Sequence, residues 1–324
     1  MQQRPYTLWI CLLVFTLSAG TVRLTAQDTT PEQTPEVTES VEERLLVNPP
    51  RPVPFQTITD SGITLDVLFD RLPQGRAGLM HLHGENISEA RLRFLDQTVP
   101  FFATTDGYYA LLVADMDQSA RTYEFSVFVV REDNSRLTLN GMVEVVLGGF
   151  IRQDGLTVPP DRAYLLDPQV ERNEFAQLFS VFNIYTEDKL WGEDGRQFPI
   201  NSEITSAFGA YRTFNQSVPA RHTGWDMRAA TGTPVMAMAS GKVAFAGVLD
   251  IRGNHIVIDH GYGIYSGYSH LSQIHVTRGQ TITRGQIIGV SGNTGRSGGA
   301  HLHWEVAVNG KYVDSVDFIN MWLP

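Results

Sequence analysis

Histidines concentrate in one stretch of this chain. Seven of the nine histidines lie between His222 and His303. The stretch begins with His222-Thr-Gly-Trp-Asp226, passes through a Tyr-Ser-His270-Leu segment and ends with His301-Leu-His303. Two histidines and one carboxylate form a three-ligand set that leaves a metal position open for water, which is typical of a catalytic zinc rather than a structural one. The cluster therefore predicts metal-assisted hydrolysis.

The His301-Leu-His303 segment has the pattern of a strand. Residues i and i+2 of a strand point to the same face, so two imidazoles can share one site while only one of them binds the metal. Leu302 and Trp304 would then point into a core. Glu305 returns to the histidine face, where it can orient a ligand through a hydrogen bond.

His222 and Asp226 are four residues apart. They would share a face of a helix, but Gly224 argues against a helix, and a turn or a bent strand could also bring both to one ion. The metal set would then be His222, Asp226 and His303, with water as the fourth ligand. Zinc lowers the pKa of such a water from about 15.7 to about 7. His301 and His270 are the candidates to take its proton and return it to a leaving amine.

Length and charge limit the classes of function. The chain has 324 residues, which allows about two domains, and 42% of them are hydrophobic. The net charge is −10, and the excess of acid lies in residues 1–200. No run of lysine or arginine indicates a nucleic-acid partner.

The N-terminus resembles an export signal. An apolar run over residues 7–19 is shorter than the roughly 20 residues of a spanning helix, so we predict a signal peptide over residues 1–26, with an uncleaved anchor as the alternative. The only cysteine, Cys11, lies inside this run. The mature chain would therefore have no disulfide and no thiolate ligand. Residues 27–50, rich in Thr, Pro and acid, are predicted to be a disordered linker.

Three further segments follow the linker. Residues 51–150 alternate polar and apolar positions in about seven short runs, which predicts an immunoglobulin-like β-sandwich. Residues 151–200 form a connector, and helical spacing over Asp167–Ile184 predicts a short helix. We expect the connector to lie against the last domain and to cover its cleft. Residues 201–324 show strands and dense glycines, which predicts an all-β domain.

The C-terminal motifs resemble a known family, the lysostaphin/LytM-type zinc metallopeptidases that cut bacterial peptidoglycan. The resemblance covers residues 202–308 and follows the family's order of motifs. The matching segments are Ile204-Thr-Ser-Ala-Phe-Gly209, His222-Thr-Gly-Trp-Asp226, Gly232-Thr-Pro-Val235, Gly253-Asn254, Tyr268-Ser-His270-Leu and Gly295–Glu305.

The resemblance implies a specific assignment of roles. It implies a β-barrel or sheet domain like a duplicated hybrid motif, zinc on His222, Asp226 and His303, and His270 with His301 as the catalytic pair. Members of this family that only activate other hydrolases lack some of these five residues, and this chain has all of them. One departure is Trp225, where a small aliphatic residue is usual.

The other histidines are expected to play lesser parts. His81-Leu-His83 repeats the tripeptide in the predicted sandwich, but no His-x-x-x-Asp partner accompanies it, so metal binding is not expected there. His260 is predicted to be structural. His255 and His275 are predicted to be partly exposed.

The leading interpretation is an exported bacterial zinc metalloendopeptidase that hydrolyses peptide cross-links of peptidoglycan. It would act outside the cytoplasm, as a monomer, and meet the membrane only through its N-terminal signal or anchor. Two alternatives stay open: a non-catalytic peptidoglycan-binding activator of another hydrolase, and a secreted peptidase that acts on proteins. A glycine bridge, a D-alanyl–diamino acid link and a stem peptide bond are all possible targets.

Overall fold

The computed structural model describes Leu46–Val47 and residues 49–324. The predicted signal peptide and most of the predicted linker lie outside the described residues. The end of the predicted linker is not disordered as expected. Leu46–Val47 forms a short strand, β1, which pairs with Arg196–Gln197. Among the described residues, no helix is both long enough and apolar enough to cross a membrane.

Two five-stranded sheets occupy residues 56–146, here called the two-sheet region. Its strands are β2 (Gln56–Asp60), β3 (Ile63–Val67), β4 (Leu72–Pro73), β5 (Arg76–Gly84), β6 (Ile87–Phe94), β7 (Gln97–Pro100), β8 (Phe102–Thr104), β9 (Gly107–Ala114), β10 (Thr122–Arg131) and β11 (Arg136–Val146). One sheet has the order β2-β3-β5-β9-β8 and the other the order β4-β11-β10-β6-β7.

Alternating side chains create the core between these sheets. On β10, Tyr123, Phe125, Val127 and Val129 are buried in turn, while the residues between them are more exposed. This is the period of two that the sequence predicted. The structure has ten strands here rather than about seven, because short strands such as β4 and β8 carry too few residues to show an alternation. The immunoglobulin-like assignment stays a prediction.

Strand β9 is buried on both faces. Ala110, Leu112 and Ala114 point into the core between the two sheets. Leu111 and Val113 point the other way, into a second core that they share with the C-terminal region, residues 201–324. The two-sheet region and the C-terminal region are therefore joined by a common apolar core rather than by a linker alone.

The connector contributes a strand, two helices and a second short strand. These are β12 (Arg152–Leu156), a 3-10 helix (Pro160–Leu166), α1 (Pro168–Phe182) and β13 (Arg196–Gln197). The side chain of Asp167 accepts a hydrogen bond from the backbone N–H of Gln169 and so caps α1. Leu178 and Phe182 of α1 are buried. They pack with Tyr265, among other residues of the C-terminal region.

The C-terminal region is mainly β. Its elements are β14 (Ile204–Ser206), β15 (Tyr211–Phe214), β16 (Val218–Arg221), β17 (Trp225–Arg228), β18 (Pro234–Met236), β19 (Gly241–Leu249), β20 (Gly253–Gly261), β21 (Ile264–Leu271), β22 (Gln273–Ile274), β23 (Thr281–Ile282), β24 (Ile287–Val290), β25 (His301–Val308), β26 (Lys311–Val313) and α2 (Ser315–Ile319). The main sheet has the order β14-β17-β25-β21-β20-β19-β23, with β26 beside β25.

Candidate functional site

Neighbouring strands in the main sheet bring two of the predicted ligands together. Asp226 on β17 lies directly opposite His303 on β25. Their side chains share one face of the sheet, and His303 Nδ1 is 2.9 Å from Asp226 Oδ1. Leu302 and Trp304 point to the opposite face and are fully buried in the core. The alternation expected of the His-Leu-His segment is therefore present, and it separates the site from the core.

His222 reaches the same point from the turn between β16 and β17. Gly224 lets this turn lie directly on β25, since a Cβ at Gly224 would be 2.3 Å from the carbonyl oxygen of Trp304. The His222 Nδ1–H donates to the carbonyl oxygen of Ala207 at 2.7 Å. His222 Nε2 then faces Asp226 Oδ1 at 3.0 Å. A turn, not a helix, joins His222 to Asp226.

The three facing atoms fit a metal ion. His222 Nε2 lies 3.0 Å from His303 Nδ1, and the Nε2–H of His303 donates to Glu305 Oε2 at 3.2 Å. In each ring the nitrogen that faces the Asp226 carboxylate is the one not held by an outer acceptor, so it can give a lone pair to a metal ion. Ligands about 2.0–2.1 Å from a tetrahedral zinc are about 3.3 Å apart, close to the spacing here. A cation among these atoms would be bound by all three groups.

Buried charged side chains support His303, one of the three predicted ligands. The guanidinium of Arg252 binds both carboxylate oxygens of Glu305, each at 2.9 Å. Thr223 Oγ1–H donates to the same carboxylate at 2.9 Å. Burial alone would raise the pKa of Glu305, but Arg252 and His303 hold it well below its usual range. Glu305 is therefore an anion that fixes the ring orientation of His303, as its position in the sequence suggested.

A second arginine contacts the carboxylate ligand. Arg212 Nη2 is 2.5 Å from Asp226 Oδ2, and the Arg212 side chain is only 14% exposed. Gln153 Oε1 on β12 accepts from Arg212 Nε at 3.0 Å. Burial would raise the pKa of Asp226, but hydrogen bonds and charge from His222, with further hydrogen bonds from the other histidines, hold it well below its usual value. The carboxylate is ionised, with Oδ1 facing the imidazoles and Oδ2 held by Arg212.

The two predicted catalytic histidines lie side by side next to the ligand set. Their ring centroids are 4.8 Å apart. The Nδ1–H of His270 donates to the carbonyl oxygen of Thr294 at 2.8 Å, and that of His301 donates to the carbonyl oxygen of Gly299 at 2.9 Å. His301 Nε2 is 3.4 Å from Asp226 Oδ1. In each ring the free Nε2 is therefore available to exchange a proton.

His270 reaches this position through an unusual backbone angle. Tyr268, two residues earlier on β21, points into the core beside Trp304. Regular alternation would send His270 to the same side. Its φ of 60° lies in the left-handed region, which a non-glycine residue rarely adopts, and the side chain turns toward His301 instead. Strain of this kind tends to be retained at functional sites.

His260 and His275 stand apart from this cluster, while His255 Nε2 lies 3.9 Å from Glu305 Oε1 on its outer side. His260 is buried, and its ring bonds the Ser240 carbonyl and the Ser266 hydroxyl, each at 2.8 Å. His275 is exposed. The expectation for His255 is wrong, since its side chain is fully buried and bonds Ser269 Oγ at 3.0 Å. It lies on the central strand β20, which is covered on both faces.

The connector borders the site. Phe175 of α1 lies in the wall of a cavity of about 60 Å³ beside the histidines, room for a few water molecules. Arg296, in the loop that leads to β25, bonds Glu171 of α1 at 3.0 Å and the carbonyl oxygen of Leu165 at 3.3 Å. The connector therefore lies against the C-terminal region, where it was expected.

Sequence reasoning missed the two buried arginines. Neither Arg212 nor Arg252 stands near the histidine motifs in the chain, and their partners come from distant segments such as Glu174 of α1. Trp225, the unusual residue between the first two ligands, donates its Nε1–H to Asp314 Oδ1 at 2.6 Å. Asp314 caps α2, so Trp225 ties the site strand to the last helix.

Comparison with known proteins places this site in a family. Residues 220–315 match Peptidase family M23 and form an M23 domain that contains all five predicted site residues. The predicted resemblance to lysostaphin/LytM-type peptidases is confirmed for this segment.

Two bacterial relatives align with this part of the chain. Over 124 residues the chain is 40% identical to the peptidoglycan DD-endopeptidase ShyA of Vibrio cholerae, an alignment that covers 37% of this chain and 29% of ShyA. Over 95 residues it is 43% identical to the DD-carboxypeptidase/endopeptidase Mpg of Neisseria meningitidis, covering 29% of this chain and 22% of Mpg. The chain thus spans less than a third of either relative.

A solved structure shares the fold over a longer stretch. A crystal structure from Pseudomonas aeruginosa assigned to peptidase M23 aligns with a TM-score of 0.56 and 23% identity, covering 77% of this chain and 96% of that one. At this identity the likeness concerns the fold alone. It extends well beyond residues 220–315, and it supports a mainly β architecture for the chain.

Proposed function

We propose that this chain is an exported zinc metalloendopeptidase that hydrolyses peptide cross-links of bacterial peptidoglycan. The observation that carries the proposal is the convergence of His222, Asp226 and His303 on one point, with His270 and His301 beside it. The names of the two relatives point to the D,D cross-link as the first bond to test. Export is proposed because this substrate lies outside the cytoplasm and because residues 7–19 form an apolar run typical of an export signal.

Three side chains would hold the metal. His222 Nε2, Asp226 Oδ1 and His303 Nδ1 lie 2.9–3.0 Å from one another and leave the side toward His270 and His301 free for substrate. Zinc bound there would activate water and polarise the scissile carbonyl. Two neutral imidazoles and one carboxylate, with no thiolate, are the donor set of hydrolytic rather than structural zinc sites.

His270 and His301 would act as the general base and general acid. Each ring has its Nδ1–H fixed on a backbone carbonyl, so the Nε2 of each ring faces the site. One of them accepts a proton from the attacking water, and a protonated imidazole then donates to the leaving amine. His301 is 19% exposed at its side chain, whereas His270 is buried. His301 is therefore better placed to meet an incoming substrate.

Digestion of purified sacculi tests this proposal. Released fragments are analysed by mass for new amine ends at the cross-link. We expect cleavage by the full chain, loss of cleavage on chelation, and recovery with zinc. His301→Ala and His270→Ala should each reduce the rate by about 10²-fold or more and keep zinc. His303→Ala should lose both zinc and activity.

His275→Ala is the matched control, since this histidine is exposed and, among the described residues, its side chain hydrogen-bonds only to Gln273. Its activity should equal that of the wild type. Zinc binding without any cleavage of sacculi would favour a binding protein that activates another hydrolase. Cleavage of glycine-rich protein substrates but not sacculi would favour a protein peptidase.

A further inference from the structure

A second cluster of metal-ligand side chains lies in the two-sheet region, far along the chain from the M23 domain. Asp66 on β3 stands directly opposite His81 on β5, and His83 follows on the same face of β5. Their ligand atoms all lie within 4.8 Å of one another. A carboxylate partner for His81-Leu-His83 could not be found from the sequence, because that partner comes from the adjacent strand.

The orientation of His81 is fixed by a backbone acceptor. Its Nε2–H donates to the carbonyl oxygen of Asp106 at 2.9 Å. Asp106 is itself held by the guanidinium of Arg51, with Nη1 2.6 Å from Oδ2, and by the Tyr109 hydroxyl at 2.9 Å. The ring also stacks on Tyr109, with centroids 4.4 Å apart. His81 is therefore held with its Nδ1 lone pair directed at Asp66.

This lone pair meets an acceptor rather than a donor. His81 Nδ1 lies 3.8 Å from Asp66 Oδ2, and His83 Nε2 lies 3.1 Å from the same oxygen. The other oxygen, Oδ1, is occupied by the hydroxyl of Thr57 at 2.6 Å. A hydrogen bond from His83 would satisfy Asp66 but would leave His81 Nδ1 without a donor among the described residues. A cation satisfies all three groups together.

The spacing and chemistry suit a transition metal. Zinc ligands at about 2.0–2.2 Å from the ion are about 3.3 Å apart in a tetrahedron, between the two distances found here. Imidazole and carboxylate donors also suit this class of ion. The His83 side chain is 43% exposed, so a fourth position would open to solvent. A backbone carbonyl that orients a ligating histidine is the usual outer support of such sites.

We propose that Asp66, His81 and His83 form a second zinc site, separate from the M23 site. Its place in the fold gives it a structural role. His81 stacks on Tyr109, and Tyr109 contacts Trp322 near the end of the chain, with ring centroids 5.8 Å apart. Zinc at this site would brace the sheet at the point where the two-sheet region meets the C-terminal region.

Zinc titration of the chelator-treated full chain tests this inference. We expect two equivalents in the wild type at micromolar metal, one in His83→Ala, one in His303→Ala and none in the double variant. His275→Ala, the control, should retain two. The inference does not depend on the proposed function, because the His303→Ala background removes the M23 site and reports on Asp66, His81 and His83 alone.

Thermal unfolding gives a second readout in the His303→Ala background. Added zinc should raise the midpoint of unfolding, and Asp66→Asn should abolish that rise while keeping the acceptor for Thr57. Asp66→Asn also serves if His83→Ala fails to fold. A wild type that binds only one equivalent, lost in His303→Ala, would overturn the proposal. So would a second equivalent that persists when Asp66 or His83 is replaced.

Discussion

Each imidazole of the M23 site has one nitrogen assigned by its surroundings. The proton-bearing nitrogens face fixed acceptors: Ala207 O for His222, Thr294 O for His270, Gly299 O for His301 and Glu305 for His303. The other nitrogen of every ring therefore faces the site, where it can bind a metal ion or exchange a proton. Such outer hydrogen bonds fix the tautomer of a metal-ligating or proton-transferring histidine.

Arg212 should support zinc binding through Asp226. Its guanidinium holds Oδ2, and this contact directs Oδ1 to the imidazoles. Arg212→Met keeps the length of the side chain and removes the charge and the hydrogen bonds. We expect zinc affinity, measured against a competing chelator, to fall by about 10–100-fold.

Arg228→Met is the matched control for this change. Arg228 lies on the same strand as Asp226, pairs with Glu203 and has a side chain that is 68% exposed. Its zinc affinity should remain that of the wild type. Equal affinities in the two variants would show that the charge on Arg212 does not position the ligand.

At the residue scale, the histidine cluster could be predicted from the sequence, but the side chains that support it could not. His301, His303 and Glu305 follow the period of a strand, so a short window of sequence is enough to place them on one face. Arg212 and Arg252 act on carboxylates that are 14 and 53 residues away. No local pattern distinguishes them from the surface arginines.

At the scale of elements, α1 is the part of the connector that reaches the site. It buries Glu174, whose carboxylate accepts from the backbone N–H of Ile251 at 2.6 Å and from Arg252 Nη1 at 2.9 Å. Arg252 in turn holds Glu305. A helix of the connector is thus joined to strand β25, which carries His301 and His303, through three charged groups. Its position next to the cavity predicts that it limits access of substrate.

Removing one aromatic ring of α1 tests whether the connector covers the cleft. Phe175 lines the cavity beside the histidines. Phe175→Ala should widen the cavity, and we expect a several-fold rise in kcat/KM on cross-linked substrate. The rate is measured with soluble muropeptide dimers, so that diffusion into sacculi does not limit it.

Phe179→Ala provides the comparison, one helical turn further along. Phe179 is also half-buried, and it stacks near Tyr312 rather than at the cavity. Its loss should cost similar packing and leave kcat/KM at the wild-type value. The idea fails if both variants change kcat/KM equally, or if neither does.

The sequence predicts the position of some elements but not how they pack. The apolar spacing over Asp167–Ile184 locates α1 because one stripe of a helix is buried. Strand β9 can be predicted from the apolar run of residues 108–114. Its burial between the two regions was not predicted. An unbroken apolar strand indicates burial on both faces, and that signal could have revealed the packing of the two regions against each other.

The whole molecule should be sensitive to acid through buried neutral histidines. Burial lowers the pKa of His260 to about 4, compared with about 6.5 in an unfolded chain. Between these values the unfolded state binds more protons, so stability falls as pH falls. The contribution of His260 is complete above pH 6.5 and is lost toward pH 4. It amounts to about 3 kcal/mol.

Denaturant unfolding at several pH values checks this expectation. With chelator present, so that metal release does not contribute, His260→Gln should lose about 3 kcal/mol less than the wild type between pH 6.5 and pH 4. His275→Gln, at an exposed position, should follow the wild type. If His260→Gln and the wild type lose stability in parallel, His260 does not cause the acid sensitivity.

The common core of the two regions also limits how the catalytic part could be reused in engineering. Phe102 of the two-sheet region stacks on Tyr262 of the C-terminal region, with ring centroids 4.0 Å apart. Leu111 and Val113 join the same apolar cluster. A fusion protein built from residues 201–324 alone would carry this face uncovered, and contiguous apolar surface of that kind promotes aggregation. The smallest segment suitable for such a fusion therefore runs from β2 through Pro324, since Trp322 packs against the same cluster.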